Sequence, residues 1–289
     1  MYPVLFFAFG IPIGAYGFFL TMAHLVGLGM LVRGARKKGE RLGAYLDIAF
    51  AVIVLGILGS RAGYAFTHWN EFQGQPASLL NLKKGGLSFF GGFAPAFFGF
   101  LLVARFRKIP FLVTSDWLCP ILPMALALTR LGCFLKGCCY GSPTSFFWGV
   151  RYTRLDSKVP QELLDLPLHP TQLGECLFLL LLALSLHLVQ KVNRLPPGIL
   201  ATLTVLFYSL YRFFFDFLRG DLDRGFWGIS WLAPTQAAAF LGIAASPFVA
   251  WVCLKLHQTQ APLSPEPFYK KMRRKWGLKT SRERPEGKE

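Results

Sequence analysis

Residues 172–190 read QLGECLFLLLLALSLHLVQ, and their one charged side chain is Glu175. At a rise of about 1.5 Å per residue, a helix of this length covers the roughly 30 Å hydrocarbon core of a bilayer. Lipid offers the backbone no hydrogen-bond partner, so the run must satisfy its own N–H and C=O groups as a helix. Six further apolar segments surround it, at 5–32, 45–67, 87–104, 111–135, 197–218 and 232–254. The expectation is an all-α membrane protein with seven transmembrane helices in one domain over residues 1–254. Composition agrees, with 53% hydrophobic and only 16% charged residues and 29 Phe. A soluble domain carries about a quarter charged residues. The opening MYPVLFFAFG has neither a basic n-region nor a cleavage site, so it reads as the start of the first span and not as a removable signal.

Net charge is +16, and its placement predicts orientation. The loop at 33–44 holds Arg33, Arg36, Lys37, Lys38 and Arg41; that at 105–110 holds Arg105, Arg107 and Lys108; that near 191–196 holds Lys191 and Arg194. The tail from 255 holds ten more. With seven spans all of these fall on one face, which the positive-inside rule assigns to the cytoplasm. The N-terminus is then outside and 255–289 is a basic cytoplasmic tail. Its KKMRRKWGLK run at 270–279 reads as a solvated flank, with binding to anionic lipid or RNA as the alternative. The stretch 136–171, rich in Pro and aromatics, is expected to form a small periplasmic head segment. Gly56, Gly59 and Gly63 point to close helix packing in the second span.

Charges inside the spans are the strongest functional signal, because each costs a few kcal/mol unless it is paired or reaches water. Arg61, Arg130, Arg212 and Arg219 lie toward the expected outer ends of their spans, Glu175 opens the fifth, and Arg212 and Asp216 share one helix face at a spacing of four. Guanidiniums bind phosphate in a bidentate way, so a cluster beside lipid suggests a phospholipid headgroup or another anion. The competing reading is structural, with Arg212 paired to Asp216 and Arg61 or Arg130 bonded to loop carbonyls.

Three other segments invite chemistry. KKGGLSFFGGF at 83–93 brings Gly85, Gly86, Gly91 and Gly92 to a helix start, which suits either an anion cradle of backbone N–H groups or a tight re-entrant turn. TRLGCFLKGCCYG at 129–141 carries Cys133, Cys138 and Cys139. A metal or redox role is open there, with Cys133–Cys138 the better steric pair, but small apolar filler is favoured and no zinc spacing of paired C-x-x-C is present. His169, before a Pro that can start the fifth span, reads as a loop hydrogen-bonder.

Taken in order, AYGFF (15–19), GSRAGY (59–64), GGLSFFGG (85–92), SDWLCPILP (115–123), RLGCFLKGCCYG (130–141), HPTQLGE (169–175) and YSLYRFFFDFLR (208–219) resemble the prolipoprotein diacylglyceryl transferase family of bacterial inner membranes. The resemblance covers about residues 10–255 and lies in the order of the motifs. It implies a multi-pass inner-membrane enzyme with seven helices and its N-terminus outside. The implied reaction transfers diacylglycerol from phosphatidylglycerol to the lipobox cysteine of a preprolipoprotein, releasing glycerol phosphate. Partners are then phosphatidylglycerol, preprolipoprotein signal peptides and membrane lipids, with no nucleic acid, no cofactor and no metal. It places catalytic roles on Arg130, Arg212 and Tyr208. Substrate contacts fall on Arg130, Gly132, Gly137, Gly141, Tyr16, Arg61, Gly91, Gly92, His169, Gln172, Glu175, Asp216 and Arg219.

The chain departs from the family pattern at named positions. Phe90 stands where the family carries His, or Tyr in some branches. Lys136 and Cys133 stand where Asn is usual, Gly174 where Tyr is usual, and Asp216 where Glu is usual. Without a base at Phe90, the guanidinium cluster favours the thiolate and the departing phosphate, Asp216 orients Arg212, and His169 is a spare base. Two other classes compete: a lipid-binding paralogue without turnover, and an anion transporter. The latter predicts inverted repeats, and none is evident.

Overall fold

The computed structural model describes residues 2–37, 39–74, 79, 86, 88–192, 195–222 and 229–260, without the side chains of 71, 89, 90, 259 and 260. The basic tail run, Gly85 and the side chain of Phe90 therefore lie outside the described residues. In chain order the elements are β1 (Val4–Ala8), β2 (Ile11–Gly14), α1 (Ala15–Lys37), α2 (Leu42–Thr67), α3 (Phe89–Phe106), α4 (Phe111–Leu118), α5 (Ile121–Lys136), β3 (Val150–Arg151), β4 (Pro167–Leu168), α6 (Thr171–Val192), α7 (Ile199–Phe215) and α8 (Pro234–Gln260). Among the described residues, six helical stretches are long and apolar enough to span a membrane, and the shorter Gly91–Phe106 is a further apolar helix. This is an all-α membrane architecture. On α6, Leu177, Leu181, Leu184 and Leu188 are all exposed along one stripe, as on a face turned to lipid.

Two expected boundaries move, and one expected span keeps its bounds as Phe111–Lys136 but is interrupted within. Residues 5–14 are not the start of a span: β1 and β2 pair antiparallel, with Phe7 opposite Pro12 and Ala8 opposite Ile11. The reason is local, since Phe9 and Gly10 turn the chain at φ 50° and 77°, and Pro12 has no N–H to give a helix. The segment 111–135 is broken between α4 and α5 at Cys119–Pro120, with Pro120 at the N-cap of α5. Helix α8 runs on to Gln260, so a tail beginning at 255 cuts into it.

The chain divides into two compact units, Met1–Gly29 with Ser115–Ser264, and Met30–Thr114. In the second, α2 packs on α3 through glycines. A Cβ at Gly59 would stand 2.5 Å from the Gly91 carbonyl oxygen, and one at Gly63 would stand 2.6 Å from Gly91 Cα. The expected packing role of the α2 glycines thus holds, and α3 supplies the partner backbone. Ser88 caps α3 by accepting from the Gly91 N–H at 3.3 Å.

In the first unit, α5 packs on α6 and α7 on α8. Buried Ala127, Cys176 and Leu179 form one core, and Cys119, Leu182, Leu186 and Leu200 another. Asp116 starts α7 by accepting from the N–H groups of Gly198 at 2.6 Å and Ala201 at 2.7 Å, where a carboxylate also meets the positive helix end. The head segment folds on its own small core of Tyr140, Tyr152, Val159 and Leu168, closed by the β3–β4 pair.

Candidate active site

Glu175 enters from the first turn of α6 and becomes the hub of a buried charge network. Arg130, on α5, places Nε 2.9 Å from Glu175 Oε2. Arg212, on α7, places Nη1 3.1 Å from the same oxygen. Tyr208, one helical turn before Arg212, donates its hydroxyl to Glu175 Oε1 at 3.1 Å. Three helices thus converge on one carboxylate whose side chain is only 5% exposed. Arg130 Nη1 reaches past the carboxylate toward two cysteine sulfurs, Cys139 at 3.4 Å and Cys133 at 3.9 Å.

The network continues past the end of α7. Arg212 Nη2 meets Asp216 at 3.0 Å, which bears out the expected spacing-of-four pair. Asp216 is fully buried and also accepts from the Thr235 hydroxyl of α8 at 2.6 Å. Arg219 holds Asp221 in a two-bond fork, Nε to Oδ1 at 2.9 Å and Nη2 to Oδ2 at 3.0 Å. Asp221 Oδ2 accepts from the Cys139 N–H at 3.0 Å, and Arg130 Nη1 donates to Cys139 Sγ at 3.4 Å. Arg130, Arg212 and Arg219 are matched by Glu175, Asp216 and Asp221, so no guanidinium here is buried without a counter-charge. Burial pushes the Asp221 carboxyl above the usual range, with Arg219 opposing. Cys139 is held far below an ordinary thiol by hydrogen bonds from Cys133 and Cys138, against burial and with help from Arg130 and Arg219.

The remaining expected residues divide into framing and separate roles. Gln172 is fully buried and donates to the Cys138 carbonyl at 2.8 Å and the Tyr152 hydroxyl at 3.1 Å. Burial raises the Tyr152 phenol to about 12. Gly132 lets α5 approach α1, since a Cβ there would lie 3.0 Å from Tyr16 Cα. Tyr16 offers its ring to Lys136 Nζ at 5.0 Å. Gly137 takes the left-handed conformation, φ 79°, that ends α5. Gly141 bridges to Arg219 and leaves no room for a Cβ against His169.

His169 sits with Trp148, whose Nε1–H donates to its Nδ1 at 3.2 Å. This is the loop hydrogen-bond reading, and the ring packs beside Phe146 and Trp148. In the other unit, Arg61 donates to the carbonyls of Leu79 at 2.8 Å and Gly86 at 3.0 Å, which is the structural alternative weighed for it. Gly91 and Gly92 lie inside α3 and not in a loop; only Gly86 of the described glycines there has positive φ, 77°.

Sequence reasoning missed Asp221 and Thr235. Asp221 follows Arg219 by two residues outside any helix, a spacing that carries no face rule. Thr235 belongs to another helix, so its contact with Asp216 is purely tertiary. Beside the network opens a cavity of about 470 Å³ lined by Lys136, Cys138, Tyr140, Lys158, Gly220, Asp221 and Leu222. Two ammonium groups against one carboxylate make its wall positive.

The model of the family described as prolipoprotein diacylglyceryl transferase matches residues 3–252. Among similar proteins, the phosphatidylglycerol–prolipoprotein diacylglyceryl transferase of Clostridium tetani is 30% identical, the match covering 86% of this chain and 96% of that protein. The protein of the same name from Nitratidesulfovibrio vulgaris is 31% identical over 76% of this chain and 82% of its own length. That from Nocardia farcinica is 29% identical over 81% of this chain, which spans only 50% of that longer protein.

Proposed function

Because this chain belongs to the prolipoprotein diacylglyceryl transferase family, we propose that it transfers the diacylglyceryl group of phosphatidylglycerol to the lipobox cysteine thiol of preprolipoproteins. The observation that carries the site assignment is the meeting of Arg130 and Arg212 on Glu175 Oε2, at 2.9 Å and 3.1 Å. These groups belong to different helices, and a phosphate could be gripped only by side chains already gathered.

The chemistry is a displacement at an sp³ carbon. The thiol, favoured as thiolate by the guanidinium charges, loses its proton to solvent; its sulfur bonds to the glyceryl methylene while the C–O bond to phosphate breaks, and the electron pair leaves on the phosphate oxygen. Arg130 and Arg212 stabilise that developing charge, which is the term preorganised donors supply best. Glu175 keeps both guanidiniums aimed at the headgroup. Asp216 orients Arg212 from behind, and Tyr208 fixes Glu175. Tyr16, Gln172 and the glycines 132, 137 and 141 shape the walls. Placement in the bacterial inner membrane, with the N-terminus and head segment outside and the tail inside, is supported by the distribution of Lys and Arg among the loops.

The test is transfer of labelled diacylglycerol from phosphatidylglycerol to a lipobox peptide by purified protein. Arg130→Ala and Arg212→Ala are each expected to lower kcat by at least about 10²-fold, in line with removal of an oxyanion-type donor. Normal turnover by both variants refutes the site assignment, and lipid that is bound but never cleaved by the wild type refutes the activity.

A further inference from the structure

Where α5 ends, three cysteine sulfurs gather. The Sγ atoms of Cys133, Cys138 and Cys139 all lie within 4.8 Å of one another, and all three are free thiols. Sulfurs around a tetrahedral ion with metal–sulfur bonds of about 2.3 Å stand roughly 3.8 Å apart, so small side-chain rotations close this group on a metal.

The backbone is shaped to bring them together. Gly137 reverses the chain at φ 79°, and the Cys138 N–H donates to the Cys133 carbonyl at 3.2 Å. Cys139 itself has φ 61°, which L residues seldom adopt. That turn is held from three directions. The Cys139 N–H donates to Asp221 Oδ2 at 3.0 Å, its carbonyl accepts from Thr171 Oγ1 at 2.7 Å, and the Cys138 carbonyl accepts from Gln172 Nε2 at 2.8 Å. Strained backbone held by its surroundings is a mark of functional sites. Filler cysteines need no such support, and Cys138 lines the open cavity instead of packing in a core.

Charge and ligand type agree. Three thiolates around a divalent ion carry a net charge of −1, and Arg130 Nη1 lies 3.4 Å from Cys139 Sγ and 3.9 Å from Cys133 Sγ. A hydrogen bond from such a cation to ligating sulfur is the usual outer support of a thiolate site. Among the described residues no His or carboxylate joins the three sulfurs, so a fourth position is left for an outside ligand, as in catalytic zinc sites.

We propose that Cys133, Cys138 and Cys139 bind one thiophilic divalent ion of the zinc class, and that the substrate cysteine is its fourth ligand. The fourth-ligand half rests on the function proposed above; the binding of the ion does not. On arrival the substrate S–H gives its proton to a hydroxide on the ion, which leaves as water, and the sulfur binds in its place as thiolate. The S–C bond then forms as the C–O bond breaks, glycerol phosphate leaves with the electron pair, and the ion's charge is unchanged.

The experiment uses full-length protein purified in detergent with its thiols reduced, and cobalt(II) as probe. One equivalent per chain is expected, with sulfur-to-cobalt charge-transfer absorption and tetrahedral d–d bands, displaced by zinc. Cys133→Ser, Cys138→Ser and Cys139→Ser should each weaken binding at least tenfold, while Cys253→Ala binds like wild type. Thermal unfolding of each variant separates loss of a ligand from loss of fold. A lipobox peptide should shift the d–d bands, and its Ser analogue should not. Reduced wild type that binds no more cobalt than the triple Ser variant overturns the proposal, as does a Cys133–Cys138 disulfide in protein taken from cells. Bands unmoved by the peptide remove the fourth-ligand role. Full transfer activity in protein stripped of metal overturns the fourth-ligand role and leaves both the ion site and the proposed function standing.

Discussion

Arg130 Nε and Glu175 Oε2 lie 2.9 Å apart across α5 and α6, and the contact is buried. Because Arg212 uses the same oxygen at 3.1 Å, removing Glu175 strands two guanidiniums at once. Breaking a buried pair from one side costs about 3–5 kcal/mol. Glu175→Ala is therefore expected to lower the thermal midpoint in detergent by several degrees and to abolish transfer. Glu175→Gln, which keeps the hydrogen-bond acceptor for Tyr208, should recover part of the stability and little of the activity. Calorimetry with the transfer assay checks both, and a Glu175→Ala protein as stable as wild type contradicts the hub.

Asp216 is held between α7 and α8 by Arg212 at 3.0 Å and Thr235 at 2.6 Å. Thr235→Val removes one hydrogen bond to a charged group, worth about 1.5–3 kcal/mol. Asp216→Asn removes the charge facing Arg212 and should cost more. The expected order of stability is wild type, Thr235→Val, Asp216→Asn. Activity should fall in the same order, because Arg212 loses its aim progressively. Asp216→Glu restores the charge with a longer arm and is expected to retain measurable transfer. The reverse order of the first two variants in a denaturation series would undo this account.

How much of this was readable beforehand depends on how local each cause is. The spans were legible because a bilayer demands long apolar runs, and the Arg212–Asp216 pair because helix geometry fixes a spacing of four. The hairpin at 4–14 was not, since its apolar residues imitate a span and only Phe9, Gly10 and Pro12 betray the turn. Arg61 was ambiguous for another reason: sequence shows a charge but not the Leu79 and Gly86 carbonyls that receive it. The sharing of one Glu175 oxygen by Arg130 and Arg212 is tertiary, and so is the Asp221 contact with Cys139. The three cysteines were visible as letters, but their convergence depends on the positive φ of Gly137 and Cys139, which the fold imposes and no residue type announces.

Gly91 meets α2 with backbone against backbone. A Cβ there would stand 2.7 Å from the Gly59 carbonyl oxygen and 2.7 Å from Gly63 Cα, and neither backbone atom can swing aside. Gly91→Ala is expected to push α3 off α2 at a cost of about 1–3 kcal/mol, the range for overpacking. Gly91→Val should be worse. Gly74, with no atom of a described residue within 4 Å of its Cβ position, is the control, and Gly74→Ala should be neutral. Thermal unfolding and cysteine accessibility in membranes report the difference; equal midpoints for the two Ala variants would exclude close packing at Gly91.

The cavity beside the network presents Lys136 and Lys158 against Asp221. An anionic headgroup approaching it gains Coulomb energy before it meets Arg130. Each exposed ammonium contributes up to about 1 kcal/mol, and salt screens it. Lys158→Gln is therefore expected to raise the KM for phosphatidylglycerol two- to fivefold with kcat unchanged, and Lys136→Gln somewhat more. Lys136 also rests over the Tyr16 ring at 5.0 Å, a cation–π contact worth about 0.5–1 kcal/mol at a wet site. Its loss should lower the thermal midpoint slightly, whereas Lys158→Gln should not. Raising ionic strength should erase the KM difference and spare the stability difference, which separates steering from packing. A double variant with wild-type KM at low salt would show that the lipid enters elsewhere.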